Sequence, residues 1–247
     1  MTNLKKISLN ELRGTLIRLE ETIIFALIER AQFKRNEPVY QDGAIPIEGF
    51  EGSFCEFLLY ETEKVHARVR RYTAPDEFPF FDDLPQPVLE DFDYEHQIIE
   101  MPINYNKHIF SDYTRKIIPA ITEWGDCKNY GSSATADVNA LQAVSKRIHY
   151  GMYIAEAKFQ SDLQAYSRLI RQGDSYGILK LLKNPEVEAK LLERVSLKAA
   201  TYGRDPGTDE AYYKVEPETI ADIYEHIIIP MTCDVEVEYL LNRLDYE

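Results

Sequence analysis

Apolar residues recurring every three or four positions set the architecture of this chain. Near its start, Leu12, Leu16, Leu19, Ile23 and Leu27 fall on one stripe, the spacing of a helix with one buried face. Ser8-x-x-Glu11 ahead of the stripe reads as a capping box. Further helices are expected at about 53–71, 105–124, 135–171, 175–182, 185–202 and 217–244, the last bent or interrupted at Pro230. No series of alternating apolar positions signals strands. The chain is therefore expected to be all-α, a multi-helix fold, with no linker dividing 1–247 into independent domains.

Two long stretches break the helical pattern. Residues 36–52 carry Pro38, Gly43, Pro46 and Gly49 and read as a loop. Residues 74–104 carry Pro75, Pro79, Pro85, Pro87 and Pro102 together with Phe78, Phe80, Phe81, Phe92 and Tyr94. Irregular segments of this length are usually functional or packed by their own side chains, so this one is expected to wrap over a surface. A turn is expected at 125–133 and another loop at 203–214. Tyr113-TRKIIP and Tyr224-EHIIIP echo one another, each with Tyr six residues before Pro, an echo too short to make a repeat.

Composition narrows the partners. The chain has 247 residues, 45% of them apolar, and a net charge of −14. It is too apolar to be disordered, and its acidity argues against general nucleic-acid binding, which needs clustered Lys and Arg. Cys55, Cys127 and Cys233 are scattered and lack C-x-x-C spacing, which suggests a reducing compartment rather than a disulfide framework or a zinc site. The first residues show no apolar signal region, and no segment reaches the roughly 18 apolar residues of a membrane span. A cytoplasmic protein without membrane or nucleic-acid partners is expected.

Metal and nucleophile motifs are missing. The five histidines form no H-E-x-x-H, and neither G-x-S-x-G nor a phosphate-cradling glycine loop is present. No cofactor or metal is expected, and Asp82-Asp83 reads as part of a solvated loop. Cations on apolar helices are more informative. Arg147 and Lys158 are eleven residues apart and fall within about 20° of each other on a helix, three turns apart, able to bracket a small anion. Arg13 lies within the apolar first helix and is a candidate for the same space. Two polar pairs have i,i+4 spacing: Asn184 with Glu188, and Thr232 with Glu236. Each has a plainer reading. The cations can be surface charges with snorkelling stems, Asn184 a helix-start residue, and Thr232–Glu236 a solvated face.

Taken together, the segments 11–30, 68–81, 131–160, 184–195 and 227–244 resemble the fungal and plant chorismate mutases, the eukaryotic all-helical branch of that class. The resemblance covers nearly the whole chain in the family's order. It implies that Arg13 and Arg147 hold the two substrate carboxylates. Lys158 would donate to the ether oxygen and a carboxylate, and Glu236 would face that oxygen from the other side. Asn184, Glu188 and Thr232 would complete the pocket, with Glu188 toward the ring hydroxyl. The implied reaction, chorismate to prephenate in phenylalanine and tyrosine biosynthesis, is an intramolecular pericyclic shift that needs no nucleophile, metal or cofactor. It needs a compact dianion held in place and charge stabilised as a C–O bond breaks, tasks that suit guanidinium groups and a fixed ammonium. An ionised carboxylate only accepts hydrogen bonds, so Glu236 must be protonated to help. A raised pKa and activity favouring acidic pH are expected.

The resemblance further implies a homodimer inhibited by tyrosine and activated by tryptophan. Arg70 and Arg71 of one subunit would share the effector with Asn129, Gly131, Ser132 and Thr135 of the other. Adjacent arginines can grip an α-carboxylate, and a Gly-Ser turn before a helix offers backbone N–H groups; alternatively Arg70 and Arg71 are the basic end of a helix. This chain has Lys128-Asn129 where fungal relatives tend to have paired Asn, and Glu216-Pro217 where Thr typically precedes the Pro. The competing functional reading is a non-catalytic helical binding protein for aromatic amino acids or small carboxylate anions. A plain bundle with outward-facing charges is the third. Convergence of the cations on one hollow separates catalysis from the last of these.

Overall fold

The computed structural model describes residues 4, 6–204 and 213–246. Eleven α-helices follow in order: α1 Leu9–Arg30, α2 Phe54–Arg68, α3 Asn106–Asp112, α4 Ile118–Ile121, α5 Tyr130–His149, α6 Gly151–Ser161, α7 Leu163–Arg171, α8 Ser175–Leu182, α9 Pro185–Gly203, α10 Pro217–Ile223 and α11 Ile229–Asn242. Among the described residues the only β pairing is an isolated bridge between Arg204 and Tyr213, so the fold is all-α as expected. The expected loop at 203–214 falls largely on 205–212, outside the described residues. No described helix is long and apolar enough to cross a membrane.

Helix α5 is the axis of the molecule. Thirteen of its twenty residues are buried, including Ala134, Val138, Leu141, Val144 and Ile148, leaving little polar face, as befits a helix packed on several sides. It packs against α1, α2, α3 and α11. Buried Arg30 and Asp137 tie α1 to it at 2.6 Å, and the hydroxyls of Tyr40 and Tyr113 donate to the same carboxylate at 2.8 and 2.9 Å. The aliphatic stripe of α1 is buried at Leu12, Leu19, Ile23 and Leu27, with Leu16 half-buried.

Several boundaries differ from the sequence reading, each for a local reason. Ser8 makes no side-chain cap to α1; the Ile7 N–H instead donates to Gln160 at 3.2 Å, so a tertiary contact fixes the start of that helix. The capping box forms at α2, where Ser53 and Glu56 satisfy one another's backbone N–H groups. Helix α2 stops at Arg68, because Arg70 adopts a left-handed conformation and Arg71–Thr73 form a 3-10 turn. The helix expected at 135–171 starts earlier, at Tyr130, anchored where Asn36 donates to the buried Ser133 hydroxyl at 3.1 Å. It divides at Tyr150 and again at Asp162, where the carboxylate caps α7 through the Ala165 N–H.

The Tyr-to-Pro echo has a structural meaning. Tyr113–Ile117 and Tyr224–Ile228 are both π-helical turns, each closed by the following isoleucine N–H donating back five residues to the tyrosine carbonyl. Proline lacks an N–H and its ring crowds the carbonyl four residues back. A one-residue widening before Pro119 and Pro230 absorbs that conflict without ending either helix.

The irregular stretch is a strap, as its aromatics suggest. Phe78, Phe80 and Phe81 pack on the core, and Ile98 and Ile103 are buried in it. Buried side chains meet its backbone. Glu63 accepts from the Phe80 and Phe81 N–H groups at 2.9 and 3.2 Å, Asn106 donates to the Phe78 and Pro79 carbonyls, and the Tyr239 hydroxyl accepts from the Ile99 N–H. His149 accepts the Tyr105 N–H at one ring nitrogen and donates to the Ser145 carbonyl from the other. Burial pushes that imidazole down to about 4, so it is neutral. Phe92 and Tyr94 instead meet edge to face near the surface.

Helices α6 and α11 run in the same direction and touch. A Cβ added at Gly151 would stand 2.9 Å from the Thr232 carbonyl oxygen and 3.4 Å from the Glu236 Cγ. Further along, Glu156 accepts from Tyr239 at 2.7 Å and Arg243 at 2.6 Å. Because backbone blocks the Cβ, Gly151→Ala is expected to lower unfolding free energy by roughly 1–3 kcal/mol in denaturant titration. Gly14→Ala, on the open face of α1 with nothing within 4 Å, is expected to be neutral or to stabilise by about 0.5–1 kcal/mol. Equal behaviour of the two variants would contradict the close approach.

Candidate functional site

Two cations on the α5–α6 arm meet two polar residues on α11. The Arg147 guanidinium donates to the Thr232 hydroxyl at 3.2 Å, and the Lys158 ammonium lies 3.3 Å from the Glu236 carboxylate. Arg147 and Lys158 are separated by about 16 Å of helix rise, Thr232 and Glu236 by about 6 Å. The long cationic side chains therefore lean inward to reach neighbouring turns of α11. Thr232 also donates to the Ile228 carbonyl at 2.6 Å. Lys158 is steadied by the Leu182 carbonyl at the end of α8, 2.8 Å away.

Arg147 is the anomaly. It is 4% exposed, yet no carboxylate lies within ion-pair distance among the described residues, and its Nε–H has no acceptor. A buried cation without a counter-charge is costly. Tyr224, which feels the charge of Arg147, also has a buried hydroxyl with no partner. A short way off, buried Glu20 takes Arg194 in two bonds, at 2.9 and 2.6 Å, with Lys198 at 3.5 Å.

Glu236 is 5% exposed. Burial pushes its carboxyl above the ordinary value, Lys158 and Arg147 pull it back, and nearby Glu188 pushes it up again. The net direction is upward. Proton retention on Glu236 therefore stabilises the fold at low pH, and that contribution is lost as pH rises through the raised value. A protonated Glu236 can donate a hydrogen bond into the space beside Lys158.

The remaining expected residues are arranged less tightly. Asn184 accepts from the Val187 N–H at 3.2 Å and so caps α9, which is the plainer of its two readings. Glu188 is half-buried and close enough to Glu236 and Cys233 to perturb both. Arg13 is exposed on α1 and makes no hydrogen bond or ion pair with the described residues, so it does not join the cluster. Asp222, Glu225 and His226 could share an ion among the described residues, but all three are exposed.

The residues expected to hold an effector do not meet within one chain. Asn129, Gly131, Ser132 and Thr135 are exposed at the start of α5. Arg70 lies over Phe92 and donates to the Glu90 carbonyl. Arg71 faces inward and donates to Glu77 at 3.0 Å, Gln142 at 2.7 Å and His66 at 2.9 Å. Both arginines lie beyond the end of α2, which removes the reading of them as the basic last turn of that helix.

Sequence reasoning missed Gly151, Tyr224 and Glu20. Glu20 carried a signal: it stands four residues after Leu16 and three before Ile23, on the buried stripe itself, where an ionised side chain requires a partner.

Known proteins share this sequence and fold. Residues 129–237 match the family described as chorismate mutase type II, a span that includes Arg147, Lys158, Asn184, Glu188, Thr232 and Glu236 but not Arg13. The chain is 43% identical over 250 residues to a chorismate mutase of Emericella nidulans, covering 97% of this chain and 94% of that protein. It is 42% identical to a chorismate mutase of Schizosaccharomyces pombe, with coverage of 97% and 98%. The crystal structure of the Candida albicans chorismate mutase Aro7p in complex with L-Trp superposes with a TM-score of 0.94 at 44% identity, covering 97% of this chain and 93% of that one. The structure of AtCM1 with tyrosine bound in the allosteric site gives 0.89 at 42% identity, with 97% coverage of both.

The upward push on Glu236 is directly observable. Infrared difference spectra of the protein against Glu236→Gln should show a protonated-carboxyl band persisting above pH 4.5, where an ordinary glutamate is half ionised. Loss of that band by pH 4.5 would overturn the assignment.

Proposed function

The chain belongs to the chorismate mutase family, isomerases that rearrange chorismate to prephenate in aromatic amino acid biosynthesis, and we propose that it performs this reaction between the α5–α6 arm and α11. Arg147 is the observation that carries the assignment: a buried guanidinium without a carboxylate partner among the described residues, its Nε–H unmet by them. A dicarboxylate substrate supplies the missing counter-charge and acceptor. A merely structural arginine would find both within the protein.

Each group has a proposed task. Arg147 holds one substrate carboxylate bidentately, a geometry that suits a planar fork which never deprotonates. Arg13, exposed on α1, is proposed from the family resemblance to hold the other carboxylate once the dianion is bound. Lys158 directs an ammonium at the ether oxygen as negative charge grows there. It is already fixed by the Leu182 carbonyl and Glu236, so little reorganisation is needed during the reaction. Glu236, keeping its proton, donates to the same oxygen from the opposite side. Thr232 orients Arg147, while Asn184 and Glu188 close the pocket, Glu188 toward the ring hydroxyl. Holding the compact conformer lowers the entropic part of the barrier.

The whole chain is proposed to act as one chorismate mutase domain and to pair as a homodimer. Val65 and Val69 at the end of α2 and Val88, Leu89 and Phe92 of the strap are exposed, with Arg70 over the Phe92 ring; exposed apolar side chains are the proposed contact surface. Across that contact, Arg70 and Arg71 of one subunit and Asn129, Gly131, Ser132 and Thr135 of the other are proposed to bind an aromatic amino acid. Related enzymes have been seen with L-Trp, tyrosine and phenylalanine bound, and tryptophan and tyrosine are the effectors proposed here. The cytoplasm is the proposed compartment, in keeping with three free thiols, although some relatives are named chloroplastic.

Purified protein should consume chorismate, followed by loss of its absorbance, and Arg147→Ala and Lys158→Ala should each lower kcat/KM by roughly 10²–10³-fold or more. Wild-type rates in both variants would place the chemistry elsewhere. Glu236→Gln, neutral at every pH, should move the activity profile from acidic toward neutral or basic pH. An unchanged profile would remove Glu236 from the donor role.

A further inference from the structure

A row of paired charges leads from the effector arginines toward the catalytic arginine. Arg71 donates to one Glu77 oxygen at 3.0 Å, and Lys146 reaches the other oxygen at 2.6 Å. Lys146 also pairs with Asp76 at 2.8 Å. Arg71 makes a second bridge to α5, through Gln142 at 2.7 Å, and Gln142 lies one helical turn before Lys146. Lys146 is the immediate neighbour of Arg147 on α5. Glu77 also borders a cavity of about 390 Å³ lined by Tyr72, Phe78, Ile98, Met101 and Met152, which gives its end of the strap room to move.

We propose that Glu77 and Lys146 are positioning residues that transmit effector binding from Arg71 to Arg147. One carboxylate shared by two cations makes the contacts competitive. An amino-acid carboxylate that engages Arg71 draws it from Glu77 and Gln142. Glu77 is then left to Lys146 and Asp76, and the pull on this turn of α5 changes. Arg147 reaches toward Thr232 from the adjacent position, so a small rotation of α5 alters how it meets a substrate carboxylate. The relay gives the two sites the differential contacts that coupling requires. It rests on the proposed effector site at Arg70 and Arg71, and the test separates the two ideas.

The intact protein is assayed for kcat/KM with and without saturating tryptophan or tyrosine, and effector binding is measured separately by calorimetry. Wild type is expected to bind the amino acid and change rate, and Arg70→Ala to bind it at least about ten-fold more weakly, the loss of a charge-assisted contact. Glu77→Gln and Lys146→Met should still bind effector and remain active, each at one kcat/KM that the effector no longer alters. Their rate response should collapse to within about two-fold of none, against couplings typically on the order of 5–150-fold. Lys146→Arg, which preserves the charge, should keep the response. Glu77→Gln and Lys146→Met responding as wild type would overturn the relay alone. Absence of binding to wild type, or undiminished binding to Arg70→Ala, would overturn the effector site and the relay with it. Should Lys146→Met fold poorly, Glu77→Gln and Lys146→Arg decide the question by themselves.

Discussion

The site depends on two helix backbones lying against one another at a residue without a side chain. At Gly151, α6 approaches the Thr232 carbonyl so closely that one carbon atom would not fit. That contact sets α6 and α11 in parallel register, and the register brings Arg147 to Thr232 and Lys158 to Glu236. Further along the same seam, Glu156 gathers Tyr239 and Arg243 and fixes the far end. Packing thus brings both cations to α11, where Lys158 meets Glu236 and Arg147 meets only a hydroxyl.

The same burial that aims these groups changes their chemistry. Glu236 lies close to Lys158, and in water that contact would favour the ionised acid. Desolvation acts in the opposite sense, and Glu188 reinforces it. In the proposed reaction a bound dianion would add negative charge to the same space and favour the proton further. One carboxyl beside two cations could then serve as a hydrogen-bond donor in the proposed chemistry, without a metal ion in any step.

Legibility in the sequence follows the range of the force involved. Apolar periodicity is local, and it reveals the all-α class, the stripe of α1 and the helices at 175–182 and 185–202, while prolines and aromatics mark the strap. Helix ends depend on what lies across the fold. Ser8 has a capping sequence but no cap, because Ile7 bonds to Gln160 instead. The division at Asp162, by contrast, has a local cause, a capping side chain inside an apolar run. The Tyr-to-Pro echo was visible, but its meaning as two widened turns required the backbone. For the site, spacing suggested that Arg147 and Lys158 share a face, while only the fold supplies their α11 partners. Arg13 has equal standing in sequence yet remains exposed, since an apolar helix still has an outer face.

Two buried arginines differ in how completely the described residues satisfy them. Arg30 is fully buried, and every nitrogen has an acceptor: the Asp137 carboxylate, the Tyr40 hydroxyl and the carbonyls of Phe33, Lys34 and Arg35. It closes its own account of hydrogen bonds and joins α1 to α5. Arg147 is buried almost as deeply but has one hydroxyl partner and an unmet Nε–H. Both lie on helices whose pattern gives no hint of the difference. A fold that can satisfy one arginine completely had the means to satisfy the other, so the incomplete shell around Arg147 is a property of the site. In the proposed reaction a substrate carboxylate would offset the desolvation cost that Arg147 carries, directing binding strength at the anionic end of that substrate.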